Sequence, residues 1–316
     1  MNYQFPQIRT IADVLPHIEG RSEFIVAERE FGTVINYVVA MADTFDMTGP
    51  DDLGGAIRRE CRGLIFDTEG RIMSRPFHKF FNVNEREETQ MHKLELDMLF
   101  DHVIMEKMDG SMIRPVLVNG VVRLATKMGV TDIAIEAEKY LVDSTSYFKT
   151  YEWLKQCVLS GVTPIFEYIA PTNKIVIDYA EPKLVLLAMR NNITGEYYMP
   201  DAAPFEIVPQ YGSVEGGLSE YIARAREMQG REGDIIRFAD GHMLKIKNDW
   251  YVRIHKTKDL IRTDRNIADI IVNEQLDDLI PLLDANDLAI VRAYEIRLDA
   301  AINNVLGRLE LSLIHI

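Results

Sequence analysis

The sequence has few cysteines, no long apolar run and no excess of positive charge. Cys61 and Cys157 are the only cysteines among 316 residues, and they lack the spacing of a metal site or a disulfide framework. We therefore expect free thiols, as in a reducing cytoplasm. No apolar run approaches the ~18 residues of a membrane span, and the first residues lack the basic start of a signal peptide. These absences favour a cytoplasmic protein without membrane contact.

The charge balance and the missing motifs narrow the ways in which this chain could bind nucleic acid or nucleotide. A formal net charge of −14 argues against a non-specific nucleic-acid coat, although it allows a local basic cleft. The sequence contains no Walker-type phosphate loop, no G-x-G-x-x-G and no G-x-S-x-G. ATP, if bound, must be held by another arrangement of cations.

Hydrophobic patterning predicts an α+β chain in which strand patterns give way to helix patterns near residue 256. Short β-branched runs bounded by Gly, Asn or Asp predict antiparallel strands in the first part, among them 33–39, 112–118, 163–168 and 175–177. Apolar residues at helical spacing follow at 259–273, 276–283 and 286–309. We predict a sheet-rich domain over residues 1–255 and a small all-α domain over residues 256–316.

The last six residues, 311–316, have an unusual explanation at the level of DNA. Read as codons, CTG TCT CTT ATA CAC ATC encodes them, and this string looks like a transposase adapter used in sequencing libraries. Our hypothesis is that the native frame ends near Glu310 and that the helical domain is truncated. The alternative is an ordinary apolar helix end, and a second clone of the gene would distinguish the two.

A lysine in the segment Lys107-Met108-Asp109-Gly110-Ser111 is the candidate nucleophile. Only about one lysine in a thousand carries a free amine at neutral pH, but nearby cations raise that fraction. Lys245 and Lys247 lie two apart on a predicted strand, so both side chains point to the same face and could meet one phosphate. An exposed edge strand remains the alternative for this pair.

Five further charged residues suit a nucleoside triphosphate. A carboxylate in the apolar strand around Glu167 needs a partner, and Glu232 precedes the strand that pairs with the two lysines, where it could hold a divalent metal or a ribose. The cations are Arg62 beside a glycine, Lys79 among aromatic residues and Lys127 after a strand. Taken singly, each of these three cations fits a surface charge better than a ligand.

Together these motifs, in this order, resemble those of the bacteriophage T4 RNA ligase 1 family, one of the covalent nucleotidyltransferases. Lys107 to Ser111 is similar to the nucleotidylation motif of that family. The other similar segments are Glu60 to Gly63, Lys79 to Asn82, Phe166 to Val176, Leu184 to Tyr197, Glu232-Gly233 and Lys245 to Tyr251. The resemblance implies an adenylyltransferase domain of antiparallel sheets flanked by helices, followed by the helical domain.

The resemblance also implies a reaction and a role for each residue. The activity would be that of an ATP-dependent RNA ligase, which joins RNA 5′-phosphate and 3′-hydroxyl ends through a lysyl-AMP intermediate on Lys107. Lys245 and Lys247 would stabilise charge on the α-phosphate. The nucleotide-binding set would be Arg62, Lys79, Gly110, Lys127, Glu167, Glu232, Tyr37 and Tyr251, with Glu232 also able to hold Mg²⁺.

The same resemblance suggests a partner and leaves alternatives open. The RNA would be single-stranded or nicked, with nicked tRNA typical of the family, and a phage origin would place the protein, a monomer, in the host cytoplasm. The short helical part puts tRNA specificity in question. The alternatives are a non-catalytic RNA-end-binding relic and another polynucleotide ligase or capping-type nucleotidyltransferase, although helices directly after Lys247 leave no room for an appended OB barrel.

Overall fold

The computed structural model describes residues 3–49, 51–273 and 275–314. The chain forms two compact units, one comprising the chain up to Arg226 together with Arg231–Lys247, and the other comprising Glu227–Gly230 with the chain from Asn248. The predicted α+β class is confirmed, because antiparallel sheets precede a run of helices. The domain boundary at residue 256 stays a prediction.

Four antiparallel strands form the first sheet, in the order β1 (Phe24–Arg29), β2 (Gly32–Tyr37), β3 (Arg62–Phe66) and β4 (Ile72–Ser74). Helix α1 (Leu53–Glu60) begins at Asp52, whose carboxylate accepts a hydrogen bond from the Gly55 amide at 2.8 Å. Such a cap satisfies an amide that has no partner within the helix. Ile57 of α1 packs into the core over this sheet.

The second sheet contains six strands and carries two helices on one face. Its strands are β7 (Ser111–Val118), β8 (Val121–Ala125), β9 (Val162–Ile169), β10 (Lys183–Asn191), β11 (Tyr197–Tyr198) and β12 (Glu206–Ile207). All pairings are antiparallel except that of β12 with β10. Asn119 and Gly120 both have positive φ, at 51° and 80°, which is the backbone of a tight hairpin turn between β7 and β8. Helices α3 (Asp132–Asp143) and α4 (Tyr147–Leu159) pack on this sheet.

The third sheet positions the lysines. Its order is β5 (Phe81–Asn82), β14 (Met243–Lys247), β13 (Gly233–Phe238) and β6 (His102–Lys107), with only β5 and β14 parallel. Helices α2 (Met91–Asp97) and α5 (Leu218–Glu227) contribute Leu94, Leu218 and Ile222 to the core on one face. Apolar side chains of β6, β13 and β14 share another core with side chains of β9 and β10, so the second and third sheets pack together.

A buried ion network joins the first two sheets. Both guanidinium nitrogens Nη1 and Nη2 of Arg190, in β10, donate to the carboxylate of Glu60 at 2.7 Å. Arg75, which follows β4, donates to the same carboxylate through Nε at 3.1 Å. Burial alone would raise the pKa of Glu60, but the charges of Arg190 and Arg75 outweigh burial and lower it to about 2. Glu60, part of one of the family-like segments, is therefore a structural anion.

Helices make up the second unit. They are α6 (Asp249–Leu260), α7 (Asp264–Val272), α8 (Leu276–Leu279) and α9 (Ala285–Ile314). Lys258 forms ion pairs with Asp284 at 2.9 Å and with Asp287 at 2.6 Å. Single-turn 3-10 helices complete the described chain at Ile11–Asp13, Leu15–His17, Glu87–Thr89, Pro171–Asn173 and Ile280–Leu282. None of the helices among the described residues has the length and hydropathy to cross a bilayer.

Two local predictions were wrong. The apolar run 175–177 forms no strand, because the amides of Val176 and Ile177 donate to a carboxylate instead of a neighbouring strand. The helical pattern 259–273 is divided between α6 and α7, because the Thr263 hydroxyl accepts from the Asn266 amide at 3.3 Å and starts a new helix. Residues 315 and 316 of the expected adapter-derived segment lie outside the described residues.

Candidate active site

Strand register brings the candidate nucleophile and the paired lysines together. Strand β13 lies between β6 and β14, and Gly233 is opposite both Lys107 and Lys247. Lys245 lies opposite Ile235, two residues before Lys247, so both lysine side chains point to the same face of β14. Residues distant in sequence thus meet at one end of the third sheet.

Gly233 is required at this position for steric reasons. Its φ is +149°, and a Cβ there would lie 2.1 Å from the carbonyl oxygen of Ile246. No side chain fits at that distance, and positive φ favours glycine. The Glu232-Gly233 dipeptide therefore combines a buried carboxylate with the one residue type that lets the central strand approach β14.

Glu232 bridges two lysines. Its Oε2 lies 2.6 Å from Nζ of Lys107, and its Oε1 lies 3.0 Å from Nζ of Lys247. The Glu232 carboxylate is almost fully buried, whereas both lysines are partly exposed. We call these three residues the bridged cluster. The predicted charged group at position 232 therefore touches both the candidate nucleophile and one of its neighbouring cations.

A cavity of about 600 Å³ opens beside the bridged cluster, which is a size typical of small-ligand sites. Apolar side chains form part of its wall, including Phe77, Phe80, Met105, Met243 and Ile235. The predicted site residues that line it are Arg62, Lys107, Gly110, Lys127, Glu167, Lys245 and Lys247. One cavity therefore brings together the candidate nucleophile and the two lysines of β14.

Lys245 differs from Lys247 in having no ion-pair partner within the part of the chain that the structure describes. Its ammonium lies 5.0 Å from the centre of the Phe80 ring. Burial, followed by the charges of Arg62, Lys79 and Lys107, lowers the pKa of Lys245 to about 7. Burial and the neighbouring cations therefore act together to disfavour the charged form of Lys245.

Glu167 is an acidic residue that lines the cavity. Its Oε1 accepts a hydrogen bond at 3.1 Å from the amide of Gly110, which lies three residues after Lys107. Burial raises the pKa of Glu167 to about 8, although the charge of Lys107 acts in the opposite direction. A Cβ on Gly110 would lie 2.3 Å from the Tyr168 carbonyl oxygen, so glycine is needed where the two strands approach.

The turn that carries Lys107 is fixed by a neighbouring loop. Oδ2 of Asp109 accepts from the amides of Val176 and Ile177, each at 2.8 Å. In return, the Asp109 amide donates to the Tyr179 hydroxyl at 3.1 Å. Asp109 itself is 1% exposed. This carboxylate therefore orders the backbone beside the candidate nucleophile, and it is not among the residues that line the cavity.

A second group of cations surrounds an aromatic ring. Nζ of Lys79 lies 5.2 Å from the centre of the Tyr37 ring and 5.3 Å from that of Phe45. Nζ of Lys127 lies 5.6 Å from the same Tyr37 ring. Burial would raise the pKa of Tyr37, but the positive charges of Lys79, Arg62 and Lys127 outweigh burial and lower it. We call Tyr37, Arg62, Lys79 and Lys127 the aromatic cluster.

A metal would have to be held jointly by the protein and its substrate. Among the described residues, no three His, Cys, Asp or Glu side chains converge on one point. Mg²⁺ usually takes only one or two carboxylates together with substrate phosphates and water. Glu232 forms an ion pair with Lys107, and Glu167 interacts electrostatically with the same lysine. These two carboxyl groups fit that kind of coordination.

Two residues near the site were not predicted from the sequence, and the role of a third stays a prediction. Tyr179 and Arg114 were not singled out, although a charged residue inside the apolar strand β7 is the same signal that identified Glu167. Tyr251 lies in α6 of the second unit, where it is 2% exposed and its ring centre is 5.8 Å from that of His255. Its role as a nucleotide ligand stays a prediction.

Comparison with known proteins finds RNA ligases. A family model described as RNA ligase matches residues 60–251. A protein of Thermovibrio ammonificans, named as a candidate RNA ligase, is 30% identical over 282 residues, which cover 85% of this chain and 70% of the relative. RNA ligase 1 of bacteriophage TS2126 is 26% identical over 260 residues, and these cover 79% of this chain and 62% of the relative. The chain thus spans less than two thirds of the phage relative.

A solved structure shares the fold at low sequence identity. An archaeal ATP-dependent RNA ligase superposes with a TM-score of 0.52 at 15% identity, over 88% of this chain and 78% of that one. The family match covers more than half of the 316 residues and includes every element that lines the cavity. The chain belongs to the T4 RNA ligase 1 family of ATP-dependent RNA ligases.

Proposed function

We propose that this protein joins RNA 5′-phosphate and 3′-hydroxyl ends through a lysyl-AMP intermediate on Lys107. The observation that carries the proposal is the shared cavity, in which Lys107 meets Lys245, Lys247 and Arg62. Phosphoryl transfer depends mainly on positioning and on stabilising charge that develops on phosphate oxygens. Converging cations around one amine meet both needs.

In the first step, the Lys107 amine attacks the α-phosphorus of ATP. A bond forms between Nζ and phosphorus, the bond from phosphorus to the bridging oxygen breaks, and pyrophosphate leaves with the electron pair. Lys245 and Lys247 neutralise charge on the α-phosphate oxygens. Lys107 attacks as the unprotonated amine, because only that form has an electron pair available on nitrogen.

The other residues hold the remaining parts of ATP. The aromatic cluster binds the β- and γ-phosphates, because its three cations form no ion pair within the described residues. Glu167, fixed near Gly110, takes the ribose hydroxyls. Mg²⁺, held by Glu232 together with phosphate oxygens, would supply further charge neutralisation. Tyr251 completes the nucleotide-binding set by resemblance.

The second and third steps use the same cations. AMP passes from Lys107 to the RNA 5′-phosphate, which breaks the phosphoramidate bond and forms a pyrophosphate linkage. The RNA 3′-hydroxyl then attacks the 5′-phosphate, a phosphodiester forms and AMP leaves. Lys245 and Lys247 remain beside the α-phosphate in each step, so both are catalytic residues. We propose single-stranded or nicked RNA, nicked tRNA among them, as the substrate and a monomer as the active form.

Adenylylation can be tested directly with α-labelled ATP and Mg²⁺. We expect label that remains on the denatured wild-type protein and disappears in Lys107→Ala. Lys139→Ala, which removes an exposed lysine of α3, is the matched control and should label normally. Absence of label on folded wild-type protein, or label on Lys107→Ala, would refute the proposal.

Ligation assays then distinguish an RNA ligase from a DNA ligase or a capping-type nucleotidyltransferase. A nicked anticodon stem-loop, a plain 5′-phosphorylated RNA and the matching DNA are compared as substrates. We expect joining of RNA ends in preference to DNA ends, with the nicked stem-loop the better RNA. A protein that labels itself but joins only DNA, or that transfers the nucleotide to a 5′-diphosphate end, belongs to another nucleotidyltransferase class.

A further inference from the structure

Three arginines are among the largest fully buried side chains of the protein, and one of them lacks a counterion. Arg75 and Arg190 share the carboxylate of Glu60. Arg114, in β7, is 0% exposed like the other two but forms no ion pair within residues 3–49, 51–273 and 275–314. Burying a charge without a partner is costly, so a retained example needs an explanation.

The contacts of Arg114 are to neutral groups. Its Nε donates to the Ser74 hydroxyl at 2.9 Å, and its Nη2 donates to the carbonyl oxygen of Gly63. The third nitrogen, Nη1, has no hydrogen-bond partner in the described part of the chain. Burial, followed by the charge of Arg62, lowers the pKa of Arg114 to about 9, so the guanidinium stays protonated at neutral pH.

Gly63, the residue that Arg114 holds, sits at an irregularity of the first sheet. Strand β3 pairs with β2 through Leu64 and through Arg62, and Gly63 is left out of the register. Its φ is +101°, and a Cβ there would lie 2.8 Å from Cα of Lys127 and 3.1 Å from Nη2 of Arg114. A residue at such a bulge loses its ladder partner, and Arg114 supplies a donor for its carbonyl.

This bulge connects Arg114 with the aromatic cluster. Arg62 directly precedes Gly63, and the backbone of Lys127 packs against Gly63. Both residues line the cavity. The buried guanidinium therefore lies immediately behind the two backbone positions that present these cations, and its field adds to theirs.

We propose that Arg114 is a positioning residue for the outer phosphates of ATP, which holds the Gly63 bulge and contributes an unneutralised positive charge that the bound β- and γ-phosphates balance. This inference rests on the proposed function of the cavity and extends it to a residue that does not line it. It predicts that loss of Arg114 weakens the binding of ligands that carry outer phosphates. The binding of AMP, which has no outer phosphates, should change little.

The test measures the affinities of ATP and AMP separately by calorimetry. All proteins carry Lys107→Ala, so that no adduct forms. Adding Arg114→Met should weaken ATP binding roughly tenfold while AMP binding changes less than about twofold, because one charge at short range is worth about this much. Adding Arg114→Lys, which keeps the charge, should restore most of the ATP affinity.

Arg75→Met is the matched control, because that arginine is equally buried but is neutralised by Glu60. We expect it to lower the melting temperature and to leave the ratio of ATP to AMP affinity unchanged. If Arg114→Met weakens ATP and AMP equally, or changes neither, Arg114 is a structural residue and the inference is wrong.

A second variant covers failure of Arg114→Met to fold. Arg114→Gln keeps a donor for the Gly63 carbonyl but removes the charge, and it should show the same selective loss of ATP affinity. An unchanged ratio in Arg114→Gln would equally overturn the inference. Failure of the proposed function would show differently, as absence of label on the protein with Lys107 intact.

Discussion

The bridged cluster and the aromatic cluster hold their lysine ammonium groups in place by different interactions. In the bridged cluster, two lysines share the buried carboxylate of Glu232 at hydrogen-bonding distance. In the aromatic cluster, Lys79 and Lys127 face the ring of Tyr37, and neither forms an ion pair within the described residues. Both clusters contribute side chains to one cavity.

The difference shows how a protein can hold a cation in place without neutralising it. A carboxylate fixes a lysine strongly, but it also cancels much of its charge. An aromatic ring attracts an ammonium through its quadrupole and carries no net charge, so the cation remains available to an anion. We infer that the bridged cluster governs the reacting atoms and that the aromatic cluster governs affinity for the outer phosphates.

The largest expected effect comes from breaking the bridged cluster. Lys247→Ala should slow lysyl-AMP formation at saturating ATP by at least about a hundredfold, because a positioned cation at developing phosphate charge contributes that much. Its melting temperature should stay close to the wild type, since the Lys247 side chain is 32% exposed. Single-turnover labelling and thermal unfolding measure the two quantities.

An exposed ion pair provides the control for this variant. Lys183 pairs with Glu206 at 3.0 Å on the surface, and Lys183→Ala should affect neither rate nor stability. An unstable Lys247→Ala protein that still turns over normally would reverse the assignment and make the bridge a structural feature.

A smaller effect is expected from the aromatic cluster. Lys127→Met should raise the KM for ATP roughly tenfold, with little change in kcat, because it removes ground-state attraction to a phosphate. The KM of the wild type should also rise more steeply with added salt than that of the variant. A loss confined to kcat, with KM unchanged, would show that Lys127 acts on the reacting atoms.

Protonation of Glu167 makes the stability of the folded protein depend on pH. The folded carboxyl keeps its proton up to about pH 8, whereas the unfolded one loses it near its ordinary pKa of 4.5. Between these values the folded state binds more protons, so the contribution of Glu167 to stability falls as pH rises.

We therefore expect Glu167→Gln to become more stable relative to wild type by on the order of 3 kcal/mol between about pH 5 and about pH 8. Urea unfolding at several pH values measures this difference. Glu196→Gln, at an exposed carboxylate, serves as the control. A difference that stays constant with pH would show that Glu167 is ionised in the folded protein throughout this range.

The sequence allowed much of the fold to be predicted where pattern alone determines structure. The β-branched run 112–118 forms a strand as expected, and Asn119-Gly120 forms the turn that follows it. The short strands β4, β5, β11 and β12 were not predicted, because two or three residues carry no periodicity and depend on a neighbour for pairing. The strand predicted at 175–177 was wrong, because two of its amides donate to the carboxylate of Asp109, which is distant in the sequence.

Burial and pairing within the site were beyond the sequence. Charged residues in ordered motifs indicated which side chains matter, but no pattern states that Glu232 would bridge two lysines or that Lys79 would face Tyr37. Such contacts depend on strand register across long separations in the chain. Arg114 could have been singled out as a charged residue inside an apolar strand, but its lack of a counterion appears only when its surroundings are known.

The smallest effect tests the aromatic cluster through its ring. Tyr37→Phe keeps the ring face toward Lys79 and Lys127, whereas Tyr37→Leu removes it. Each cation–ring contact is worth about 0.5–1 kcal/mol at a partly exposed site, so Tyr37→Leu should weaken ATP binding by several fold and Tyr37→Phe by less. Equal losses in both variants would mean that the hydroxyl, and not the ring, makes the contribution. In that case the aromatic cluster would bind phosphate through a hydrogen bond from Tyr37, and its contrast with the bridged cluster would no longer be one of neutralised against unneutralised charge.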